Sequence, residues 1–270
     1  MRLNVKNEYD KLTKVLLAPV DEEYSSQQKQ LLDILKKYNV EIVMTQKQNN
    51  DRYQMFVRDP FIVIGNKMLI CHMKESIRQL EIESAKDILD KIDGENRIYL
   101  YGDTIVEGGD VLLYNDIIFV GQKGNRTNEN GLKFMNDTFL PEYRIIPLYM
   151  KNPNPYFPFV HLDCIFNPIS KDTVIVYKDG LEEQSINIIE ELFTNIIYVD
   201  KREQDELVTN VISLGDNVVI VQKRHDDLIR VLKEKKFKVE VMDIYDTVKE
   251  TGYLRCLTCP LERIKKIDKI

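Results

Sequence analysis

Asp59, Glu107, His161 with Asp163, Asn210 and Cys256 recur at intervals of about 50 residues along the chain. Four of those five stations carry groups that do chemistry. A cysteine thiolate is a strong nucleophile, and an imidazole can supply or remove a proton beside it. Three carboxylates crowding such a pair need a cation, and a planar guanidinium suits them because its N–H groups pair with a carboxylate two at a time. Were these residues to converge, they would form a pocket for attack on the central carbon of a guanidino group.

Cys256 stands in "CLTCPLER" (256–263), where a second thiol, Cys259, follows three residues later. Half of a zinc site would fit the spacing, but zinc takes about four ligands, and the other two cysteines, Cys71 and Cys164, are isolated. A thioredoxin-like pair would need the matching fold around it. Cysteine is also a common small core residue. His161 and Asp163, two apart in "VHLDCIF", share a face if the segment is a strand, which suits catalysis, metal ligation or plain packing. Glycines 108 and 109 in "VEGGDVLL" mark a strand bend or a close backbone approach beside Glu107. Asn210 reads as a capping or backbone-bridging residue, Arg58 as structural, and His72 and His225 as structural or exposed.

These residues open successive copies of one arrangement: two strands and a tight turn, a helix, then a single strand. Residues 56–73 turn at Gly65-Asn66, and the helical stretch 76–92, with Ile77, Leu80, Ile88 and Leu89 as its apolar residues, leads to the strand 97–101. The order repeats over 105–149, turning at Asn115-Asp116, over 160–200, turning near Ser170-Lys171, and over 210–244, turning at Gly215-Asp216. A fifth unit assembles from the two ends: 256–264 with "KVLLAPV", helix 27–38 and "VEIVM". Such repetition predicts a closed α/β ring spanning 1–270 as a single catalytic domain, in which equivalent positions meet on the axis.

Bulk properties narrow the partners. A net charge of −6 weighs against nucleic acid or an anionic membrane as the main partner. No apolar run approaches the roughly 20 residues of a membrane helix. The first 20 residues lack the apolar core of a signal peptide, and four scattered cysteines fit a reducing compartment, so a cytoplasmic protein is expected. A homo-oligomer is left open.

In "FVRDPF", "VEGGDVLL", "NRTNENG", "HLDCIFNPIS" and "CLTCPLER", which occur in this order over 56–263, the chain resembles the guanidino-group-modifying enzymes: arginine deiminases, amidinotransferases and dimethylarginine hydrolases. The resemblance implies a five-bladed β/α propeller and a small arginine-like substrate, with no metal or organic cofactor. By position it implies Cys256 as nucleophile, His161 as general acid/base, Asp59 and Asp163 as guanidinium clamps, Glu107 as a binder of the guanidinium that also orients His161, and Arg126 as the holder of a substrate carboxylate. "HLD" resembles deiminases and amidinotransferases, since dimethylarginine hydrolases usually carry lysine where Asp163 stands. "CLTCPLER" is most similar to the closing motif of deiminases. Arginine deimination to citrulline and ammonia is therefore the leading expectation, with amidino transfer or dimethylarginine hydrolysis as alternatives. The chain departs from deiminases in lacking room for their inserted helical domain. It departs again in "GYLRC", where Tyr253, Leu254 and Arg255 replace small residues and are expected to reshape the pocket mouth.

Overall fold

The computed structural model describes residues 1–48, 53–151, 160–244 and 252–265. The chain begins in mid-blade: β1 (Lys11–Leu17) is followed by helix α1 (Ser25–Lys37) and by β2 (Glu41–Met44), which runs parallel to β1. β3 (Phe61–Ile64) and β4 (Lys67–Ile70) then form an antiparallel hairpin. After the short helix α2 (Lys86–Leu89), β5 (Arg97–Tyr99) joins parallel to β4. The same order gives β6 (Val111–Tyr114), β7 (Ile117–Gln122), α3 (Glu129–Phe139) and β8 (Arg144–Tyr149). It recurs in β9 (Phe166–Pro168), β10 (Thr173–Val176), α4 (Glu183–Leu192) and β11 (Asn195–Tyr198). A short helix, α5 (Lys201–Asp205), leads into β12 (Ile212–Gly215), β13 (Val218–Gln222), α6 (Asp226–Glu234) and β14 (Lys238–Met242).

The last strand, β15 (Cys259–Ile264), pairs antiparallel with β1, placing Leu16 opposite Cys259. The two ends of the chain thus complete one blade, and the described residues form five three-stranded mixed sheets of a five-bladed β/α propeller. The hairpins turn where the sequence predicts: Gly65, Asn115, Gly215 and Asp216 all take positive φ, which Gly, Asn and Asp tolerate best. Strands covered on both faces read as unbroken apolar runs, as in "FIVI", "TVIV" and "VVIVQ", all fully buried. Among the described residues no helix is long and apolar enough to cross a membrane.

One element differs from expectation. The stretch read as an amphipathic helix over 76–92 is mostly a 3-10 helix, Ser76–Ala85, capped by the single turn of α2. Ile77 and Leu80 are 74% and 72% exposed, whereas Arg78, Glu81 and Ser84 are buried. The cause is the three-residue period, which eclipses positions 78, 81 and 84 on one face. That face is polar, and it is held inward by ionic partners rather than by apolar contact.

Candidate active site

At one end of the ring, single 3-10 turns lead into three of the hairpins: Gly108–Asp110 before β6, Leu162–Cys164 before β9, and Arg255–Leu257 before β15. Glu107 and His161 occupy the same place, the N-cap in extended conformation, of the first two turns. Cys256 is the middle residue of the third, and Asp59 lies just ahead of β3. The recurrence seen in the sequence is therefore a recurrence of position. The turns pack against one another closely: a Cβ on Gly108 would lie 2.1 Å from the Arg58 carbonyl oxygen, and one on Gly109 would lie 2.7 Å from Cγ of His161. The two glycines serve the approach of neighbouring blades.

A cavity of about 220 Å³ opens here, with Asp59, Arg78, Arg126, His161, Cys164 and Cys256 on its wall. Glu107 sits behind the histidine, its Oε2 2.7 Å from His161 Nε2, while its Oε1 accepts a hydrogen bond from the Lys74 backbone N–H at 2.9 Å. On the other side of the ring, His161 Nδ1 lies 3.6 Å from Asp59 Oδ1. That Asp59 oxygen is buried and, among the described residues, has no hydrogen-bond partner, while Oδ2 accepts from Arg78 Nη1 at 2.8 Å. Arg126 Nη1 stands 3.2 Å from Glu75 Oε1 and 3.8 Å from Glu107 Oε1. Asp163 is fully buried behind the wall; its Oδ2 accepts from Arg255 Nε at 3.1 Å and its Oδ1 faces Cys164 Sγ at 3.6 Å.

The electrostatics follow from this packing. Burial alone would lower the His161 pKa, but Asp59 and Glu107 outweigh it and raise the imidazole to about 10. Burial would likewise raise Asp59, yet His161 and Arg78 hold its carboxyl below the usual range. Asp163 is raised by burial despite Arg255. The Cys256 thiol is pushed well up by burial and then by the charges of Asp163 and Asp59, and it shares the cavity wall with the His161 imidazole. Asp110, raised to about 6 by burial, accepts the Leu162 backbone N–H at 2.9 Å and braces the turn that carries His161.

All six residues singled out in the sequence come to this one place: Asp59, Arg126, His161 and Cys256 on the cavity wall, Glu107 and Asp163 just behind it. Cys259 is not on the cavity wall: its Sγ lies 3.3 Å from the Phe61 carbonyl oxygen. Cys256 lies on the turn before β15, and the strand starts only at Cys259. The bulky residues of "GYLRC" are not at the mouth. Tyr253, Leu254 and Arg255 are all buried, Tyr253 with its hydroxyl 3.0 Å from His225 Nε2, and Gly252 alone of that lead-in reaches the cavity. Asn210 bridges backbone as expected: its Oδ1 accepts from the Arg255 N–H at 2.8 Å and its Nδ2 donates to the Asp163 carbonyl at 3.3 Å. Sequence reasoning missed Arg78 and Cys164 on the wall and the ionic role of Arg255 behind it.

A family model described as "N,N dimethylarginine dimethylhydrolase, eukaryotic" matches residues 3–263. An uncharacterized protein of Bacillus subtilis (strain 168), YkgA, is 31% identical over 239 residues, covering 88% of this chain and 80% of that protein. An arginine deiminase of Streptococcus pneumoniae (strain Hungary19A-6) is 25% identical over 248 residues; 77% of this chain is covered, but the match spans only 60% of the deiminase. Among solved structures, the N-terminal domain of ArgZ, an arginine dihydrolase from cyanobacteria, superposes with a TM-score of 0.83 at 19% identity, covering 94% of this chain and 98% of that one. SxtG, an amidinotransferase from Microseira wollei, gives 0.82 at 17% identity over 99% of both chains. At such identities these structures speak for the fold.

Proposed function

The chain belongs to the guanidino-group-modifying enzymes, within the family described as N,N dimethylarginine dimethylhydrolases, and from that premise we propose that it hydrolyses a guanidino compound, arginine first, to a ureido product and an amine. The observation that carries this reading is the meeting of Cys256, His161 and Asp59 on one cavity, with Glu107 held against the histidine and one Asp59 oxygen left without a hydrogen bond. A guanidinium entering the cavity takes that oxygen and brings positive charge against the carboxylates that, after burial, raise the Cys256 thiol. Its arrival displaces the thiol proton to solvent. Arg126, on the same wall, is the cation available to a substrate carboxylate, since the Arg78 guanidinium is held by Asp59 and Glu81.

The Cys256 thiolate then adds to the guanidino carbon. His161, protonated through neutral pH, gives its proton to the departing nitrogen; the C–N bond breaks and ammonia leaves, with the carbon now bonded to sulfur as a thiouronium. The neutral imidazole next takes a proton from water and the hydroxide adds to the same carbon; the C–S bond then breaks as the added hydroxyl gives its proton to the departing sulfur, releasing citrulline and the Cys256 thiol. Glu107 keeps the ring aimed and favours its charged form throughout.

Dimethylarginine is the second reading, favoured by the family model over 3–263, and would release dimethylamine in place of ammonia. An amidinotransferase would replace the attacking water by an amine. One experiment separates them: incubation with arginine, methylarginines, agmatine and guanidino acids, with and without an acceptor amine. The readouts are the released amine and the mass of Cys256. Hydrolysis predicts product without acceptor and an adduct on Cys256. Full turnover by Cys256→Ser would refute the scheme.

A further inference from the structure

We propose that Glu8 and Arg255 are positioning residues that set how much negative charge Asp163 presents to the substrate guanidinium. The proposal rests on the guanidine reading above and adds to it a control residue contributed by the segment ahead of β1. Glu8 enters the axis of the ring from that segment. Its backbone N–H donates to the Leu113 carbonyl at 3.1 Å, and its Oε1 accepts from the Leu113 N–H at 3.3 Å. Thus fixed to β6, it turns Oε2 toward Arg255, whose Nη1 donates at 2.9 Å; Arg58 Nη1 stands 3.9 Å from the same oxygen. Arg255 reaches the other way with Nε, to Asp163 Oδ2 at 3.1 Å. Glu8, Arg255 and Asp163 are all buried.

One guanidinium is therefore divided between two carboxylates where charges are weakly screened, so what Glu8 draws from Arg255 is withheld from Asp163. Arg255 is also tied to the nucleophile. Its backbone N–H donates to Asn210 Oδ1, the oxygen that Cys256 Sγ approaches at 3.8 Å. Among the described residues Asp163 Oδ1 carries only the long contact to Cys164 Sγ, and Cys164 itself lines the cavity, so the carboxylate acts on the cavity from just behind its wall. The charged groups that act on Asp163 are Arg255, His161, Asp59 and Arg58, and its own charge in turn raises the thiols of Cys164 and Cys256. Among them, Arg255 alone is hydrogen-bonded to both Asp163 and Glu8.

The test is the acid limb of kcat/KM, which reports the free enzyme. Arg255→Gln removes the cation from Asp163, so the carboxylate protonates more readily and the limb moves to higher pH, by about one unit or more. Glu8→Gln removes the competitor for Arg255, so the limb moves to lower pH, by less because the effect passes through Arg255. Arg255→Lys keeps a cation but cannot span both carboxylates; its limb stays nearer the wild type while KM rises. A merely structural role would lower the melting temperature of all three without opposite shifts. Should Arg255→Gln fail to fold, Glu8→Gln decides alone, since glutamine can still accept from the Leu113 N–H; an unmoved or upward-shifted limb overturns the proposal. Carboxyl 13C titration of Asp163 in the empty protein reads the same opposite shifts without turnover. Normal Asp163 shifts with no guanidine consumed would therefore fault the guanidine reading, whereas turnover with unshifted limbs would fault the relay.

Discussion

Arg78 Nη1 lies 2.8 Å from Asp59 Oδ2, so a guanidinium of the chain's own already rests on a carboxylate of the cavity wall. The same side chain turns Nε and Nη2 to Glu81, at 2.5 and 2.9 Å, and lies over the ring of Tyr53 at 5.5 Å. Asp59 thus already holds one guanidinium, with one oxygen paired to Arg78 and the other, among the described residues, without a hydrogen bond.

Replacing Arg78 by Met tests the pairing. Two buried carboxylates would lose their cation, and cutting one side of a buried ion pair costs about 3–5 kcal/mol. In the wild type Asp59 titrates below its ordinary value of 3.8. Its contribution to stability is complete above that value and is lost as pH falls through the lower folded value. In Arg78→Met the carboxylates titrate higher and regain stability by protonating. Urea denaturation should therefore show a stability gap at pH 7 that narrows by pH 4; a constant gap would contradict the pairing.

The two thiols of "CLTC" should behave as unrelated residues. Cys256→Ser removes the proposed nucleophile on the cavity wall and should lower turnover on the order of 10³-fold or more with the fold intact. Cys259→Ser, whose thiol contacts the Phe61 carbonyl off the cavity wall, should keep most activity and show its effect in the melting temperature. Comparable activity losses in both variants would restore the reading of a functional pair.

How far the sequence reaches can be seen in this same motif. The blade order was legible because buried strands leave unbroken apolar runs and their hairpins need Gly, Asn or Asp at positive φ. Asp59, Glu107, His161 and Cys256 were legible because each stands where a hairpin opens, and a ring brings such positions together. Arg78 was hidden by its period: a 3-10 helix buries 78, 81 and 84, while the i, i+4 pattern draws attention to Ile77 and its neighbours. Arg255 was hidden because its partners, Glu8 and Asp163, are 247 and 92 residues away and no local spacing announces them.

Glu107→Gln should move the basic limb of the pH profile. Burial disfavours the charge on His161, and Asp59 and Glu107 raise the group to about 10 in spite of it. Removing one of those carboxylates lowers the imidazole pKa, so the proton needed by the leaving nitrogen is lost at lower pH and kcat falls earlier on the alkaline side. The stability linkage has the same origin. A folded-state pKa above the unfolded 6.5 contributes stability that is fully present below 6.5 and lost as pH rises toward 10. The wild type should lose melting temperature across that window more steeply than Glu107→Gln. An unmoved basic limb would assign the proton transfer to another group.

The adjacent glycines of "EGGD" offer a last test, because they meet different obstacles. A Cβ at Gly108 would strike the carbonyl oxygen of Arg58 at 2.1 Å, backbone of the neighbouring blade that cannot turn aside. Gly108→Ala must push two blades apart, and overpacking of this kind costs about 1–3 kcal/mol or more. A Cβ at Gly109 would meet the His161 ring, with Cγ at 2.7 Å and Nδ1 at 2.9 Å. A side chain can move where a backbone cannot, so Gly109→Ala should relax by displacing the imidazole from Glu107, which holds it at 2.7 Å. The two variants should then separate stability from catalysis. Gly108→Ala should lose more in urea denaturation, while Gly109→Ala should lose more in kcat than in melting temperature. Equal losses of both kinds in the two proteins would show that the turn acts as one rigid body and that His161 is not positioned through Gly109.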